Sequence, residues 1–169
     1  MGLLLRKIRK GRWYKEPQPS WLCADDIPSD PLGDLVTSEN SLSVWYIDDE
    51  RANLRDVITA MAANRDHVSN FDYVLVGLED VLSLNLKLES TEGGSPNKEA
   101  NRRWHRDVIE LSSAKLGQLA KLFYQKGQRD RVQEKIVRSM ILTVLGEGDK
   151  IDKSKLSSSM QDSLGLEKN

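Results

Sequence analysis

The densest group of chemically active side chains lies in residues 1–15, which contain six cations and no acid. Trp13 and Tyr14 are interleaved with these cations. Guanidinium and ammonium groups neutralise phosphates, and aromatic rings stack on bases or anchor protein interfaces. The pattern therefore predicts a basic arm that contacts a partner or binds phosphate. Its cations are Arg6, Lys7, Arg9, Lys10, Arg12 and Lys15.

The rest of the chain carries the opposite charge. Residues 16–169 hold 19 Lys and Arg residues against all 26 Asp and Glu residues, although the whole chain has a net charge of only −1. Such a separation of charge indicates contact with a polyanion or with the acidic face of another protein. Charge alone does not distinguish these two kinds of partner, because a mobile arm can bind phosphate without reading sequence.

A second chemical group is the carboxylate run Asp48-Asp49-Glu50, which follows a predicted strand and precedes a predicted helix. Oxygen ligands that converge at such a junction can hold a divalent cation. The same acids can instead cap the helix and complement its positive end. We favour capping, because it requires nothing else from the chain, and we expect no bound metal or other cofactor.

The metal alternative adds a third acid, Asp72. Asp72 and the later Asn85-Leu86-Lys87 segment resemble the acid and acid-x-lysine pattern of restriction-endonuclease-like nucleases. The resemblance implies metal-dependent cleavage of phosphodiesters, with Asp48 and Asp49 as further ligands. Asn85 stands where that pattern has its second acid, so a nuclease or phosphohydrolase is the least favoured interpretation.

Thiol and imidazole groups are scarce. Cys23 is the only cysteine, and His67 and His105 are the only histidines. An intrachain disulfide is therefore impossible, and a zinc site would require distant residues to converge. A single thiol fits a reducing compartment, and no apolar run approaches the roughly 18 residues of a membrane span, so we expect a cytoplasmic protein.

Four segments are predicted along the chain: the basic arm (1–15), an irregular Pro/Asp-rich segment (16–40), a globular domain (41–146) and a polar, flexible tail (147–169). β-branched and aromatic residues predict strands over 42–48 and 71–76, with a helix over 50–63 between them. Alternating leucines predict a third strand over 82–89, paired with the second as a hairpin.

The second half of the domain has helical periodicity. Ser95-Pro96 is typical of a helix start, and the apolar spacing that follows predicts one long helix ending at Gly127. A further helix is predicted over 129–145, which makes an antiparallel helical hairpin. The expected fold is therefore α+β, with a small three-stranded sheet packed against a C-terminal helical hairpin.

The function that these patterns favour is a non-catalytic interaction or adaptor subunit of a larger cytoplasmic assembly. Its basic arm would contact an anionic partner, most simply a protein. The alternative is a nucleic-acid-binding accessory protein that uses the same residues on phosphates. The oligomeric state stays open.

Overall fold

A computed structural model describes residues 2–13, 19–148 and 150–166 of the chain. Within these residues, six strands form one antiparallel sheet and seven helices cover it. The strands are β1 (Leu3–Ile8), β2 (Leu42–Ile47), β3 (Phe71–Gly77), β4 (Lys87–Ser90), β5 (His105–Ile109) and β6 (Gln128–Val132). The helices are α1 (Lys10–Trp13), α2 (Leu54–Ala63), α3 (Leu78–Leu82), α4 (Lys98–Trp104), α5 (Ser113–Lys126), α6 (Glu134–Gly146) and α7 (Ser158–Leu164).

Strand β1 lies at the centre of the sheet, whose order is β4-β5-β2-β1-β3-β6. Leu5 faces Trp45 of β2 on one side and Leu75 of β3 on the other. Because β2 and β3 are both antiparallel to β1, they run parallel to each other, and α2 makes the crossover between them. The outer pairs, β4 with β5 and β3 with β6, extend the sheet on either side.

Each face of the sheet carries its own apolar core. Successive residues of a strand point to opposite faces, so Leu5 belongs to one core and Leu4 to the other. The α6 face is the side on which α2, α4, α6 and α7 pack. The α5 face is the side covered by α3, α5 and Trp13. The protein therefore has three layers, with helices on both sides of an antiparallel sheet.

The prediction of a three-stranded sheet is wrong, and residues 1–15 are the main reason. The spacing of Met1, Leu4, Leu5 and Ile8 suits one face of a helix, but the run Leu3-Leu4-Leu5 also suits a strand that is buried on both faces. Hydrogen bonding to both β2 and β3 selects the strand. The basic segment is thus integrated into the sheet over Leu3–Ile8, which differs from the projecting arm that its charge suggested.

The predicted long helix from residue 96 to 126 is also wrong, since the chain forms α4, β5 and α5 there. At His105 the backbone becomes extended (φ −72°, ψ 137°), and β5 pairs with β2. Glu110 then adopts a positive φ of 55°. The Ser112 side chain begins α5 by accepting a hydrogen bond from the Lys115 amide. Sheet pairing supplied the interactions that outweighed local helical periodicity.

The predicted helical hairpin is wrong because a charged edge strand separates the two helices. Strand β6, with sequence QRDRV, pairs with β3, and α5 and α6 consequently lie on opposite faces. The link between α5 and β6 is Gly127 alone. A Cβ at this position would collide with the Phe123 carbonyl oxygen and the Val74 side chain. Only glycine therefore permits so tight a connection at this point.

The alternating leucines of residues 82–89 form a helix end and an outer strand, so the predicted hairpin with β3 is also wrong. Residues Leu78–Leu82 form α3, directly after β3. Asn85 has a positive φ of 54°, which turns the chain before β4 begins. Strand β4 then pairs with β5, which the sequence had placed inside a helix.

Residues 150–166 pack against the α6 face, in contrast to the flexible tail expected for 147–169. Their apolar side chains repeat at intervals of four and five residues, and helix α7 ends at Gly165 in a left-handed conformation. Burial of these apolar groups offsets the cost of ordering the segment. The buried side chains are Ile151, Leu156, Met160 and Leu164.

Four predicted elements are confirmed within a few residues: β2, α2, β3 and α6.

Residues 19–40 contain no strand or α-helix, which agrees with the irregular Pro/Asp-rich segment, although 30–34 form one 3₁₀ turn. Pro31 of this turn and the following Leu35 are buried. The turn is important because it brings Asp34 to the side of β1.

Candidate anion-binding groove

The cations of the first segment separate into an inner and an outer set. Arg6 belongs to the inner set. Its Nε and Nη2 atoms donate to the Asp34 carbonyl oxygen at 3.1 and 2.8 Å, and Nη1 donates to the Ser43 carbonyl oxygen at 2.6 Å. Burial lowers the pKa of Arg6, while the charges of Asp34 and Asp107 oppose that shift. Arg6 therefore ties β1 to the 3₁₀ turn and to β2.

The Asp34 carboxylate collects most of the remaining inner contacts. Its oxygens accept hydrogen bonds from the Arg9 amide at 2.7 Å, Arg12 Nη1 at 2.9 Å and Trp13 Nε1 at 2.8 Å. The Asp34 side chain is only 6% exposed, so these donors replace water almost completely. Trp13 is fully buried, and its ring packs near Tyr124 of α5. Trp13 is therefore part of the core.

The outer set faces a groove at the end of the sheet where β1 finishes and β3 begins. Lys7, Arg9 and Lys10 contribute to its lining from β1 and α1. Arg65 comes from the loop after α2, and Arg131 comes from β6. The groove has a volume of about 650 Å³. We call it the cationic groove; its other lining residues are Ile8, Gly11, Asn64, Asp66, His67, Asn70 and Asp72.

The groove continues onto the first turns of α6. An adjoining depression of about 610 Å³ shares Asn70 and Arg131 with the groove and adds Lys135 and Arg138. Glu134 is the acid in this part of the lining. Together the two depressions are lined by seven cations and three carboxylates, with His67 in addition. The surface is therefore strongly positive although the chain as a whole is slightly acidic.

Crowding of like charges is visible at Lys7. Lys7 reaches the surface, yet partial burial lowers the pKa of its ammonium, and the neighbouring Arg65 and Arg9 lower it further. Burial also lowers the pKa of Arg65, against the opposing charge of Asp72. An anion that entered the groove would reduce this repulsion and favour the charged forms. The electrostatics therefore suit a negatively charged ligand.

Two arginines of the groove are held in position by the protein. Arg65 Nη1 donates to the Asn70 carbonyl oxygen at 3.1 Å, which anchors it over the loop before β3. Arg131 makes a two-pronged ion pair with Asp72, with Nε–Oδ1 and Nη2–Oδ2 distances of 2.5 and 2.9 Å. Asp72 Oδ2 also accepts from the Lys10 amide at 3.3 Å. Asp72 thus organises the cations around it.

The three acids considered for metal binding do not come together. Ile47, the residue before Asp48, pairs with Leu3, whereas Asp72 pairs with Ile8 at the other end of β1. Leu3 and Ile8 are five residues or about 17 Å apart along β1, so Asp48 and Asp72 lie at opposite ends of the strand and on opposite sides of it. Asp49 follows Asp48 at the far end. Among the described residues, no group of three or more His, Cys, Asp or Glu side chains is arranged to hold a metal ion.

Asp48 instead serves the turn that leads into α2. Its Oδ1 accepts from the Ala52 amide at 2.7 Å, and its Oδ2 accepts from the Asn53 amide at 3.2 Å. The Asn53 side chain in turn accepts from the Asp48 amide. These contacts order the turn before α2 and differ from the helix cap that we favoured, because the N-cap residue of α2 is Asn53 and makes no side-chain capping hydrogen bond.

The His105-Arg106-Asp107 segment lies on β5 and forms a polar network with its neighbours. Thr91 Oγ1 is 2.9 Å from His105 Nδ1 and donates to Asp107 Oδ2 at 2.7 Å. Ser43 donates to the other Asp107 oxygen at 2.9 Å. Burial lowers the pKa of His105, although Asp107 opposes this shift. The network joins β2, β5 and the residue after β4 through side-chain hydrogen bonds.

The predicted site residues are therefore distributed among several positions. Lys7, Arg9 and Lys10 line the groove; Arg6, Arg12 and Trp13 bind Asp34 or its carbonyl; Tyr14 and Lys15 lie outside the described residues. Sequence reasoning missed Arg65, Arg131, Lys135 and Arg138. Arg65 follows α2, Arg131 lies on β6, and Lys135 and Arg138 both lie on α6. No local pattern distinguishes them from ordinary surface cations.

No family model, no curated protein and no solved structure matches this chain. Within the described part of the chain, every helix is too short or too polar to cross a bilayer.

Proposed function

We propose that this chain is a non-catalytic interaction protein of the cytoplasm, a subunit or adaptor that holds an anionic partner in the cationic groove. The observation that carries the proposal is the convergence of Lys7, Arg9 and Arg65 in one depression. Burial lowers the pKa of Lys7, and the charges of Arg65 and Arg9 lower it further. Folding has gathered charges that repel one another, and an anion is the ligand that compensates this cost.

The groove is also preorganised for binding. Asp72 and the Asn70 carbonyl oxygen hold Arg131 and Arg65 in place before any ligand arrives. Side chains that are already ordered lose less conformational entropy when they bind. Lys7 and Arg9 lie exposed at the rim, where the Arg9 side chain is about 70% exposed although its Nε atom is 3.7 Å from Asp34 Oδ1.

The acids around the groove support binding more than catalysis. Both oxygens of Asp72 are engaged by Arg131, so this carboxylate is committed to a structural ion pair. A metal ligand or general base requires a carboxylate oxygen that faces the substrate. The nuclease alternative also needs Asp48 and Asp72 in one site, and β1 separates them.

The test uses neutralising variants and a sulfated polysaccharide column, which selects for general polyanion binding. Lys7→Gln and Arg65→Gln should each elute at lower salt than the unchanged protein, and the double variant at the lowest salt. The matched control is Lys121→Gln, which removes one cation from α5 on the opposite face, where its partner is the exposed Asp26. Circular dichroism would confirm that all variants are folded.

Two results would contradict the proposal. In one, the control variant loses as much retention as the groove variants, which would indicate that only net charge matters. In the other, the folded double variant elutes at the same salt as the unchanged protein.

A further inference from the structure

We propose that the anionic partner is a nucleic acid, held by its phosphodiester backbone across two cationic clefts at opposite ends of α6. This inference rests on the proposed function and names the partner class of the same groove. It uses the composition of the groove, a second cleft and the surface that connects them.

The groove has the composition of a nucleic-acid interface. In its described lining, Ile8 is the sole large apolar side chain and is only 3% exposed, and no Phe, Tyr or Trp side chain is present. Protein interfaces centre on exposed apolar and aromatic anchors, whereas nucleic-acid interfaces are more polar and much more cationic. An acidic protein partner would find charge in this groove but no apolar anchor.

A second cationic cleft lies at the other end of α6. It has a volume of about 1050 Å³ and lies between α4, the last turn of α6 and residues 150–154. Its two acids are partly engaged, since Glu99 pairs with Arg103 at 2.9 Å and Asp152 accepts from the Ser154 hydroxyl at 2.6 Å. The cations that line it are Lys98, Arg102, Arg103, Lys150 and Lys153.

Helix α6 connects the two clefts. Lys135 lines the depression at its first turn, and Gly146 lines the second cleft at its end. The helix has 13 residues and is therefore about 20 Å long. No Asp or Glu follows Glu134 within α6, and the exposed side chains between the clefts are Ile136, Ser139, Leu142 and Thr143. A polyanion can therefore pass along this helix without meeting an acidic side chain of α6.

The separation of the clefts determines which ligands can use both. A small phosphate compound fills one cleft at most. A duplex advances about 3.4 Å per base pair, so about six base pairs span the length of α6. Since the described groove lining has seven cations and no Phe, Tyr or Trp side chain for base stacking, binding should depend on backbone charge and salt, with little sequence preference.

The experiment compares two DNA hairpins in fluorescence anisotropy at low salt. One stem has about 5 base pairs and spans about 17 Å, and the other has about 16 base pairs and spans about 54 Å. Lys7→Gln/Arg65→Gln should weaken binding of both stems. A second-cleft variant, Lys98→Gln/Lys153→Gln, should weaken the long stem about tenfold and leave the short stem unchanged.

Salt dependence gives an independent measure of the same contacts. For the long stem, the slope of log K against log salt should decrease by about 0.9 for each phosphate contact that a variant removes. Lys121→Gln should change neither the affinity nor the slope, because α5 lies on the other face. Single-stranded DNA and RNA of matched length show which nucleic acid binds most tightly.

Poly-glutamate of matched charge distinguishes the two levels of the proposal. If it competes as well as DNA for the groove, the nucleic-acid inference fails while the proposed function stands. If the second-cleft variant binds the long stem like the unchanged protein, the two-cleft path is overturned. If neither DNA nor poly-glutamate nor the sulfated column is bound, both proposals fail together.

Discussion

Arg6 and Lys7 are adjacent on β1, yet they belong to two regions with opposite uses of positive charge. On the α5 face, Arg6 is satisfied by two carbonyl oxygens, and nearby Arg12 is neutralised by Asp34. At the groove, partial burial lowers the pKa of Lys7, and its neighbours Arg65 and Arg9 lower it further. The comparison shows that a run of cations has no single role, because strand geometry sends alternate side chains to different environments.

The largest expected effect comes from removing the acid on the inner side. Asp34→Ala should lower the free energy of unfolding by about 3 kcal/mol, because Trp13 Nε1 and Arg12 lose a nearly buried acceptor. Urea denaturation measures this change. The control is Asp26→Ala, an exposed acid of the same irregular segment, which should leave the urea midpoint nearly unchanged. Equal losses from both variants would contradict the inner role of Asp34.

The neighbouring pair on β1 provides the most direct comparison. Arg6→Gln should cost about 2 kcal/mol of unfolding free energy, since it removes hydrogen bonds to the Asp34 and Ser43 carbonyl oxygens. Lys7→Gln should change stability by less than about 0.5 kcal/mol, because it removes a repelled surface charge. Paired urea titrations would test this contrast. A larger loss of unfolding free energy for Lys7→Gln than for Arg6→Gln would contradict the contrast.

The buried His105 should make the stability of the protein depend on pH. Burial lowers the pKa of His105 from its ordinary 6.5, so the unfolded chain binds this proton more readily than the folded protein. Stability from this group is complete above about pH 6.5 and decreases as the pH falls toward the folded pKa, by at most about 1.4 kcal/mol per pH unit. Urea midpoints of the unchanged protein and of His105→Asn, compared across this pH range, measure the contribution of His105 to stability.

On acidification, the stability of His105→Asn should decrease less than that of the unchanged protein. An identical pH profile in both proteins would show that His105 is not the responsible group. In the folded protein, the charges of Asp107, Arg106 and Arg6 act on the pKa of His105, and Trp45 packs edge-on against the His105 ring.

The smallest expected effect is a shift in the pKa of one lysine. Arg65→Gln removes the neighbouring cation that contributes most to lowering the pKa of Lys7, so the Lys7 pKa should rise toward its ordinary value. An NMR titration of the lysine side chains would measure the change. Lys121→Gln on α5 is the control and should leave the Lys7 pKa where it was. A fall in the Lys7 pKa on removing Arg65 would contradict the charge crowding proposed for the groove.

Local patterns predicted elements where hydrophobic spacing and length left one choice. Strand β2 and helix α6 were predicted because β-branched residues or steps of four dominate their sequences. Local patterns failed at Leu3–Ile8, where the apolar spacing fits both a helix and a strand. They also failed at Gln128–Val132, where pairing with a neighbouring strand forms β6 with little apolar pattern in its sequence. Strand β6 is an edge strand rich in charge, so it has almost no hydrophobic pattern to detect.

The candidate site was predicted in part. The concentration of cations near Lys7, Arg9 and Lys10 was evident from their spacing, and these three residues line the groove. Arg65 and Arg131 could not be assigned to it, because the first follows a helix and the second lies on an edge strand far along the chain. Only the pairing of β1 with β3 and of β3 with β6 brings them together.

Taken by itself, the amino-acid sequence determined that positive charge is concentrated in one segment and that several apolar repeats must be buried. The tertiary structure alone decided that this segment becomes the central strand, and therefore which cations bind Asp34 and which line the groove. The physical reason is that hydrogen bonding to β2 and β3 is non-local, and it sets the direction of every side chain on β1.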